Sequence, residues 1–370
     1  MKRSTRLLNT TVASTFALSS FACAALADVM GDLTAAAKKE GELTVIALPR
    51  DWCGYGAVID GFKAKYGLKV NELNPDAGSG DEVEAIKANK GNTGPQAPDV
   101  IDVGLSFGPT SKTDGLLQPY KVSTWDSIPD SSKDAEGFWY GDYYGVLSFV
   151  VNTDLVKTPP TDWPDLMGAD FANSVALSGD PRSSNQAIQG VFAAGLSASG
   201  GDVDKAADAG LKWFAELNKK GNFVPVGGST ATLAQGTTPM TIQWDYNGLA
   251  ARDALKGNPK IDVIVPKSGV VAGVYVQAIS AFAPHPNAAK LWMEYIYSDE
   301  GQLMWLDGYC HPIRYQNLME AKKVPDAMLA KLPAADNYAK AVFPTLAQQG
   351  VAKETAAKNW DSVVGVTVGK

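Results

Sequence analysis

Hydrophobic and polar residues along the first third of the chain follow the rhythm of strands separated by helices. Apolar runs predict buried strands at Leu43–Leu48 and Asp99–Val103, and a strand of alternating polarity lies between them at Leu68–Leu73. Apolar residues recur with helical spacing in the segments 28–39, 57–66 and 81–90, which predicts helices there. This succession predicts a parallel sheet covered by helices.

The alternation of strands and helices stops after Trp139 and then resumes. A long apolar run, Tyr143–Asn152, leads through a proline-rich segment into a second set of elements. We predict strands at Ser174–Ser178, Asn222–Val226, Met240–Trp244 and Ile261–Val265, and helices at Ser184–Ser197, Val203–Lys219 and Ala231–Gly236. An apolar stretch, Gly273–Ala283, follows, and the chain from Asn287 is mainly helical. The pattern therefore predicts two α/β units.

The N-terminus has the pattern of a secretory signal peptide. Three basic residues precede an uncharged, mostly apolar or small segment (residues 11–23), and Ala25-Leu26-Ala27 supplies a cleavage site before Asp28. The apolar segment is shorter than the roughly 20 residues that span a bilayer. We therefore predict a signal peptide at residues 1–27 and a periplasmic mature protein. A buried N-terminal helix and lipid attachment at Cys23 are the alternatives, and bulky Phe21 disfavours the second.

Composition narrows the class of partner. The chain carries 33 basic and 40 acidic residues, a formal net charge of −7, and has no basic run. Phosphate contacts need clustered lysine and arginine, so a nucleic-acid partner is not expected. With 45% hydrophobic residues the chain can bury a large core.

Cysteines and histidines are few. Cleavage of the signal peptide would leave Cys53 and Cys310, which in an oxidising compartment are predicted to form one disulfide. Two separate buried thiols are the alternative. Only His285 and His311 could join these cysteines, and no C-x-x-C pair is present, so we expect no metal site.

Signatures of catalysis and of cofactor binding are weak. The sequence has no G-x-x-x-x-G-K-[ST] loop and no H-E-x-x-H motif. We predict that the protein is not an enzyme and has no cofactor. A secreted hydrolase that uses paired carboxylates remains the alternative, because 40 acidic residues allow many pairs.

Several segments resemble one family in the same order along the chain. Gly41–Ile46, Ala97–Val100, Gly115–Tyr120 and the run Gly145–Leu155 resemble the first part of family-1 extracellular solute-binding proteins of ABC importers. The segments Asn287–Ile296, Ser298–Gln302 and Gly308–Pro312 are similar to the return helix of that family and the turn after it. The resemblance covers about residues 40–315 and is strongest to the polyamine- and ferric-ion-binding branch.

The resemblance implies a fold and a partner. We expect a type II periplasmic-binding-protein fold, α/β in class, in which two sheets flanked by helices form two lobes joined by crossing hinge strands. Lobe one is predicted at residues 28–143 plus 275–315 and lobe two at residues 145–267, with the helices of residues 316–370 unassigned. The expected partners are a small-molecule ligand held between the lobes and the membrane permease of an ABC importer, and the protein is expected to be a monomer.

Ligands of open α/β sheets lie beyond the carboxyl ends of strands, so the loops after the strands hold the candidate residues. Asp51 and Trp52 follow the first strand, where a carboxylate and an aromatic ring suit an amine. Packing of Trp52 on the lobe surface is the alternative. Ser106 and Phe107 follow the third strand closely, and their position, more than their chemistry, favours contact with a ligand.

Further candidates lie in the second α/β unit. Arg182 and Ser183 precede a helix, whose free N–H groups suit an anion, although an ordinary capped helix with a surface arginine has the same pattern. Resemblance to polyamine binders implies that Trp244 and Asp245 hold an amine. The same two residues stand where ferric binders have adjacent tyrosines, so a ferric ligand is not expected. Tyr275, in the return strand, either lines the cleft or packs in the core.

These candidates give one main hypothesis about the ligand. The predicted ligand is a small organic solute with an amine end, such as a polyamine or an amino acid, held by Asp245 with Trp244 and Trp52. An anionic solute, such as a phosphonate or a sugar phosphate, is the alternative and would use Arg182.

Overall fold

The computed structural model describes residues 29–332 and 338–369. The predicted signal peptide and Cys23 lie outside the described residues. The helices are α1 (29–40), α2 (Tyr55–Tyr66), α3 (Ser79–Ala88), α4 (Phe107–Thr113), α5 (Asn185–Ala198), α6 (Ala206–Lys219), α7 (Thr230–Gln235), α8 (Asp245–Leu255), α9 (Pro286–Ile296), α10 (Asp299–Asp307), α11 (Tyr315–Glu320), α12 (Asp326–Leu329) and α13 (Leu346–Val363). Within these ranges no helix is both long and apolar enough to cross a bilayer.

The strands alternate with these helices, and a few 3-10 turns connect the two kinds of element. The strands are β1 (Glu42–Ile46), β2 (Lys69–Leu73), β3 (Val100–Gly104), β4 (Leu117–Gln118), β5 (Tyr140–Asn152), β6 (Val175–Leu177), β7 (Met240–Trp244), β8 (Ile261–Ile264), β9 (Ala272–Ser280) and β10 (His311–Pro312). The 3-10 turns are Trp125–Ser127, Asp130–Ser132, Trp163–Met167 and Ala169–Phe171.

Two sheets share strand β5. Its first half, Tyr140–Val146, pairs antiparallel with β9, which pairs in turn with β3. Its second half, Leu147–Asn152, lies antiparallel to β7 and to β8, and β7 is parallel to β6. We call the body built on β1–β4, β9, β10 and the first half of β5 lobe one, and the body built on β6–β8 and the second half of β5 lobe two. The lobes are therefore joined where β5 passes from one sheet to the other.

The chain returns to lobe two at its C-terminal end. Helices α9 and α10 pack against α2 in lobe one, whereas α13 packs against α5 and α6 in lobe two. Trp360 of α13 is fully buried, and its ring lies 5.7 Å from that of Phe214 in α6. The last helix is thus part of the lobe that the middle of the chain forms.

Local patterning predicts most elements but not all of them. The predicted strand Met240–Trp244 is confirmed as β7, whereas the strand predicted at Asn222–Val226 is wrong, because only isolated bridges form at Phe223 and Val226. Pro225 between them lacks the N–H that a ladder needs. Helix α8 was not predicted, although an acidic residue at its first position, Asp245, is favoured there by the helix dipole.

Candidate ligand-binding cleft

The loops after five strands face one another between the lobes. In lobe one these loops carry Trp52, the start of α3 and Ser106, and in lobe two they carry the starts of α5 and α8. The Gly80 amide donates to the Ser183 carbonyl across the cleft at 3.2 Å. A Cβ atom at Gly104 would lie 2.0 Å from Cγ of Asn185, so the two lobes are in close contact here. The cleft lies at the carboxyl ends of the strands, as expected for an α/β ligand site.

Four aromatic side chains from both lobes form what we call the aromatic cage: Trp52, Tyr143, Tyr246 and Tyr275. The Trp52 ring meets the rings of Tyr246 and Tyr275 edge-on at 5.4 and 5.5 Å, and Tyr143 stacks on Tyr275 at 5.5 Å. The Trp52 indole N–H donates to the Tyr143 hydroxyl at 2.7 Å, which fixes the orientation of the indole. Tyr246 belongs to lobe two and the other three to lobe one, so the cage is complete only when the lobes meet.

A carboxylate lies against the aromatic cage. Asp102 of β3 accepts hydrogen bonds at Oδ2 from the hydroxyls of Tyr55, at 2.7 Å, and Tyr143, at 2.5 Å. Its other oxygen, Oδ1, is buried and has no partner within the described residues. Burial raises the pKa of Asp102 to about 7, and the two tyrosine hydroxyls oppose that rise. Asp102 therefore has one carboxylate oxygen that accepts no hydrogen bond from the described residues.

Two further carboxyl groups are buried near Asp102. Glu82 of α3 accepts from the Asp102 amide at 2.8 Å, and Oδ2 of Asp142 has no partner among the described residues. Burial, followed by the charge of Asp102, raises the pKa of both groups well above the usual carboxyl range. None of the three forms an ion pair with lysine, arginine or histidine in the described part of the chain. This part of lobe one thus holds buried acids that lack a cation.

Hydrogen-bond donors lie on the lobe-two side of the cleft. The hydroxyl of Ser184, which precedes α5, donates to the Ser178 carbonyl at 3.2 Å and does not cap the helix. The first amides of α5 therefore keep their capacity to bind an anion. The Gln243 Nε2 amide and the Tyr246 hydroxyl are buried without partners among the described residues. These groups suit an anionic or polar end of a ligand.

Some of the residues predicted from sequence come together in this cleft. Trp52 and Tyr275 belong to the aromatic cage, and the Ser106 hydroxyl is buried without a partner in the described residues. Phe107 is 7% exposed and packs at the start of α4. Ser183 takes part in the contact between the lobes through its carbonyl. Asp51, in contrast, is exposed to solvent.

Asp245 and Trp244, predicted to hold an amine, have other partners. Asp245 is fully buried, where its Oδ1 accepts from the Val146 amide at 2.9 Å and its Oδ2 from the Tyr338 hydroxyl at 2.7 Å. Burial raises the pKa of Asp245 to about 6. Trp244 is also fully buried, and its amide donates to Gln186 at 2.8 Å. Both oxygens of Asp245 already accept a hydrogen bond, whereas Oδ1 of Asp102 accepts none among the described residues, so the geometry favours Asp102 for that role.

Arg182, predicted to bind an anion, is engaged by carboxylates. Its guanidinium donates to Asp180 through Nε, at 2.9 and 3.0 Å, and through Nη2, while Nη1 donates to Asp361 of α13 at 2.9 Å. Burial by itself would raise the pKa of Asp180, but the hydrogen bonds and the positive charge of Arg182 outweigh it and hold that pKa below its usual range. An anion could reach this guanidinium only by competing with two acidic side chains.

Sequence reasoning missed Asp102 and the tyrosines around it. The signal that could have found Asp102 is its place inside the apolar strand Val100–Gly104, where an acid is costly to bury without a partner. Among the described residues no group of three or more histidine, cysteine, aspartate or glutamate side chains is arranged to hold a metal ion.

The segment Gly104–Gly108 matches the pattern G-x-S-x-G. It joins strand β3 to helix α4, as a nucleophile elbow does. Ser106 nevertheless has an ordinary backbone conformation, with φ −70°, and its hydroxyl has no partner in the described residues. The two histidines are placed elsewhere, since His285 pairs with Asp99 at 2.9 Å and His311 stacks on Tyr144. Within the described residues, therefore, no histidine is hydrogen-bonded to this serine to act as its base.

The predicted disulfide is confirmed. Cys53 and Cys310 are bonded, with Cα atoms 5.4 Å apart, and both residues lie in lobe one. Cys53 immediately follows Trp52, so the bond ties the loop that carries the cage tryptophan to the turn after α10.

Comparison with known proteins settles the family. The sequence profile of the bacterial extracellular solute-binding proteins matches residues 96–348. The chain belongs to this family. A periplasmic protein of Salmonella typhimurium (strain LT2), which carries the name of a 2-aminoethylphosphonate-binding protein, is 27% identical over 255 residues, or 67% of this chain and 70% of that protein.

Solved structures of two periplasmic binding proteins have the same fold. The periplasmic binding protein AfuA from Actinobacillus pleuropneumoniae, with fructose-6-phosphate bound, superimposes with a TM-score of 0.68 at 21% identity, covering 88% of this chain and 99% of that one. The protein MotA from A. tumefaciens B6, in complex with glucopine, gives a TM-score of 0.68 at 16% identity, covering 87% and 99%. The predicted two-lobed periplasmic-binding-protein fold is confirmed.

Proposed function

We propose that this solute-binding protein captures a small solute that carries an amine and an anionic group, and that the amine binds to Asp102 within the aromatic cage. The observation that carries the proposal is the buried Oδ1 atom of Asp102, which has no partner among the described residues. An ammonium group is the complementary donor, because a charge-assisted hydrogen bond to a carboxylate is among the strongest in proteins.

The surroundings of Asp102 favour a cation in a second way. Glu82, Asp102 and Asp142 are buried close enough for the charge of Asp102 to raise the pKa of the other two. Burying several carboxyl groups without a cation is unfavourable, and a bound ammonium would relieve part of that cost. The faces of the cage rings add cation–π attraction, worth about 0.5–2 kcal/mol per good contact.

The other end of the solute would meet lobe two. The free amides at the start of α5 and the buried Nε2 donor of Gln243 suit a carboxylate, phosphonate or phosphate. The Salmonella relative is named for an aminophosphonate, which has both an amine and an anion. A molecule of this kind would bridge the lobes and stabilise their contact.

Three further properties belong to the same proposal. The protein acts in the periplasm as a monomer, delivers its solute to the permease of an ABC importer and catalyses no reaction. Cell fractionation and size-exclusion chromatography with light scattering test the location and the monomeric state.

The test of the ligand class is calorimetric. We expect 2-aminoethylphosphonate to bind, and ethylphosphonate, which lacks the amine, and ethanolamine, which lacks the anion, to bind at least tenfold more weakly. Asp102→Asn keeps the size of the side chain but removes its charge, and it should weaken binding by about 100-fold, as expected for loss of a charged hydrogen bond of about 1.5–3 kcal/mol together with its Coulomb attraction.

Two matched variants give the controls. Asp208→Asn removes an exposed carboxylate from α6 and should leave the affinity unchanged. Asp245→Asn tests the assignment made from sequence. If Asp245→Asn abolished binding while Asp102→Asn retained it, the amine would lie at Asp245 and the present proposal would be wrong. If putrescine bound and the aminophosphonate did not, the anionic half of the proposal would be wrong.

A further inference from the structure

Helix α13 lies behind the cleft, largely beyond the part of the chain that the family profile matches. That match ends at residue 348, whereas α13 runs from Leu346 to Val363. Ala352, Ala356 and Trp360 are buried and fasten the helix to lobe two. The helix is therefore a fixed part of lobe two, and its contacts with lobe one depend on how the lobes are placed.

The C-terminal segment contacts two loops of its own lobe. Asp361 of α13 forms an ion pair with Arg182 at 2.9 Å, next to Ser183 in the loop before α5. The Gly227 amide donates to the Gly369 carbonyl at 2.7 Å, in the loop before α7. These contacts hold the segment against the lobe-two wall of the cleft.

One side chain of α13 reaches the opposite lobe. The Lys353 ammonium donates to the Ser106 carbonyl at 2.9 Å and to the Thr110 hydroxyl at 3.3 Å. It also lies 4.4 Å from the centre of the Phe107 ring, within cation–π range. All three partners belong to the loop and helix that follow β3 in lobe one. Lys353 therefore links the two lobes beside the candidate ligand site.

The environment of Lys353 is unusual for a lysine. Within the described ranges no carboxylate forms an ion pair with its ammonium, and burial lowers its pKa. Lys353 is half-buried, and a charge that loses part of its water without gaining a counter-ion needs other contacts to compensate. Here the compensation comes from a carbonyl, a hydroxyl and an aromatic ring, all in the other lobe.

We infer that Lys353 is a positioning residue that stabilises contact between the lobes by holding the Ser106 loop of lobe one against the C-terminal helix of lobe two. It acts on ligand affinity through this contact and does not itself touch the ligand. The inference rests on the two-lobed arrangement and not on the proposed amine ligand.

The test measures lobe contact in the protein without ligand. The Gly80 amide lies in the first turn of α3, where helix amides have no acceptor within the helix, and it donates across the cleft to Ser183. Its hydrogen-exchange rate therefore reports separation of the lobes at a contact that Lys353 does not itself make. We expect Lys353→Met, which keeps the aliphatic stem, to accelerate exchange of the Gly80 amide about tenfold, the factor that corresponds to about 1.4 kcal/mol.

Matched variants separate this effect from a loss of folding. Lys358→Met alters the same helix at an exposed lysine paired with Glu354, and it should leave the Gly80 rate unchanged. Lys353→Arg keeps the charge and the cation–π contact and should restore most of the protection. Phe107→Leu removes the ring and should accelerate exchange less than Lys353→Met, and it serves as the second variant if Lys353→Met does not fold.

Two outcomes would overturn the inference. One is an unchanged Gly80 exchange rate in folded Lys353→Met. The other is a Gly80 amide that exchanges in the parent protein as fast as in an unstructured peptide. Neither outcome depends on the identity of the ligand, so failure of the amine proposal would leave this test intact.

Discussion

Among the residues of the cleft, Asp102 has a charge that changes with pH near neutrality. Burial raises its pKa to about 7, well above the usual carboxyl value, although the hydroxyls of Tyr55 and Tyr143 donate to Oδ2. A neighbouring ammonium favours the ionised carboxylate and would lower that pKa again. Binding of an amine near neutral pH should therefore release protons.

This linkage predicts how affinity depends on pH. Below about pH 7 Asp102 must lose its proton before it can pair with an ammonium, at a cost of about 1.4 kcal/mol per pH unit. The affinity for 2-aminoethylphosphonate should thus rise by up to about tenfold per pH unit between about pH 5 and 7 and level off above that. Calorimetry in two buffers with different ionisation enthalpies measures the proton release directly.

The phosphonate also titrates in this range, so a comparison is needed. The Asp102→Asn variant retains the titration of the ligand but lacks that of the carboxyl group. Its pH profile should be flatter than that of the parent protein. Parallel profiles for the two proteins would show that the pH dependence arises elsewhere.

At the scale of helices and strands, the sequence pattern predicts an element correctly where the residues of that element are sufficient to determine its structure. Met240–Trp244 is predicted as a strand, and β7 has those bounds. Asn222–Val226 is also predicted as a strand but forms only isolated bridges. Strand β6 is in place beside it, since Phe223 bridges Val175, but Pro225 has no N–H with which to continue the ladder.

The site depends still more on distant partners. Asp102 lies opposite Gln277 of β9, and its carboxylate is bound by tyrosines from α2 and β5. No spacing rule connects residues 55, 102, 143 and 275, which meet only after β9 has returned to the first sheet. Trp52 and Ser106 could be predicted because the loops after strands are identifiable from sequence.

Asp245 has a structural role that follows from its position at the start of helix α8. It begins helix α8 in lobe two, and it joins that helix to the Val146 amide of β5, where the strand passes between sheets, and to the Tyr338 hydroxyl. We therefore expect Asp245→Asn to destabilise the protein by about 1–3 kcal/mol, the usual cost of impairing a buried hydrogen-bond partner. Urea denaturation followed by tryptophan fluorescence measures this change.

The control for Asp245→Asn is a substitution of one of its hydrogen-bond partners. Tyr338→Phe removes the hydroxyl that donates to Oδ2 and leaves the Val146 bond in place. It should destabilise the protein less than Asp245→Asn does. A free energy of unfolding that is unchanged in Asp245→Asn would argue against a structural role and in favour of the ligand role predicted from sequence.

On the scale of the whole molecule, the arrangement of the lobes determines whether a ligand site exists. The aromatic cage takes Tyr246 from lobe two, and the candidate anion donors lie across the cleft from Asp102. A ligand can stabilise lobe contact only through bonds that form when the lobes meet. Changes that separate the lobes should therefore weaken binding even where no ligand-binding side chain is altered.

Gly104 allows a direct test of this coupling. It is the last residue of β3, and a Cβ atom there would lie within 2.0–2.5 Å of three side-chain atoms of Asn185 in lobe two. Atoms cannot remain that close, so in Gly104→Ala either the buried Asn185 side chain or the whole of lobe two must move. We expect the affinity for 2-aminoethylphosphonate to fall at least tenfold while the melting temperature of the ligand-free protein changes little, since the added methyl group meets no atom of its own lobe among its nearest neighbours.

Gly350→Ala on α13, where a Cβ would meet nothing within 4 Å, is the matched control and should bind as the parent does. Asn185→Ala combined with Gly104→Ala removes the obstructing side chain and should recover part of the affinity if steric separation of the lobes is the cause. Equal affinities in the parent and in Gly104→Ala would mean that the ligand does not require the lobes to meet at this point, and the cleft would then have to bind its solute in a more open arrangement.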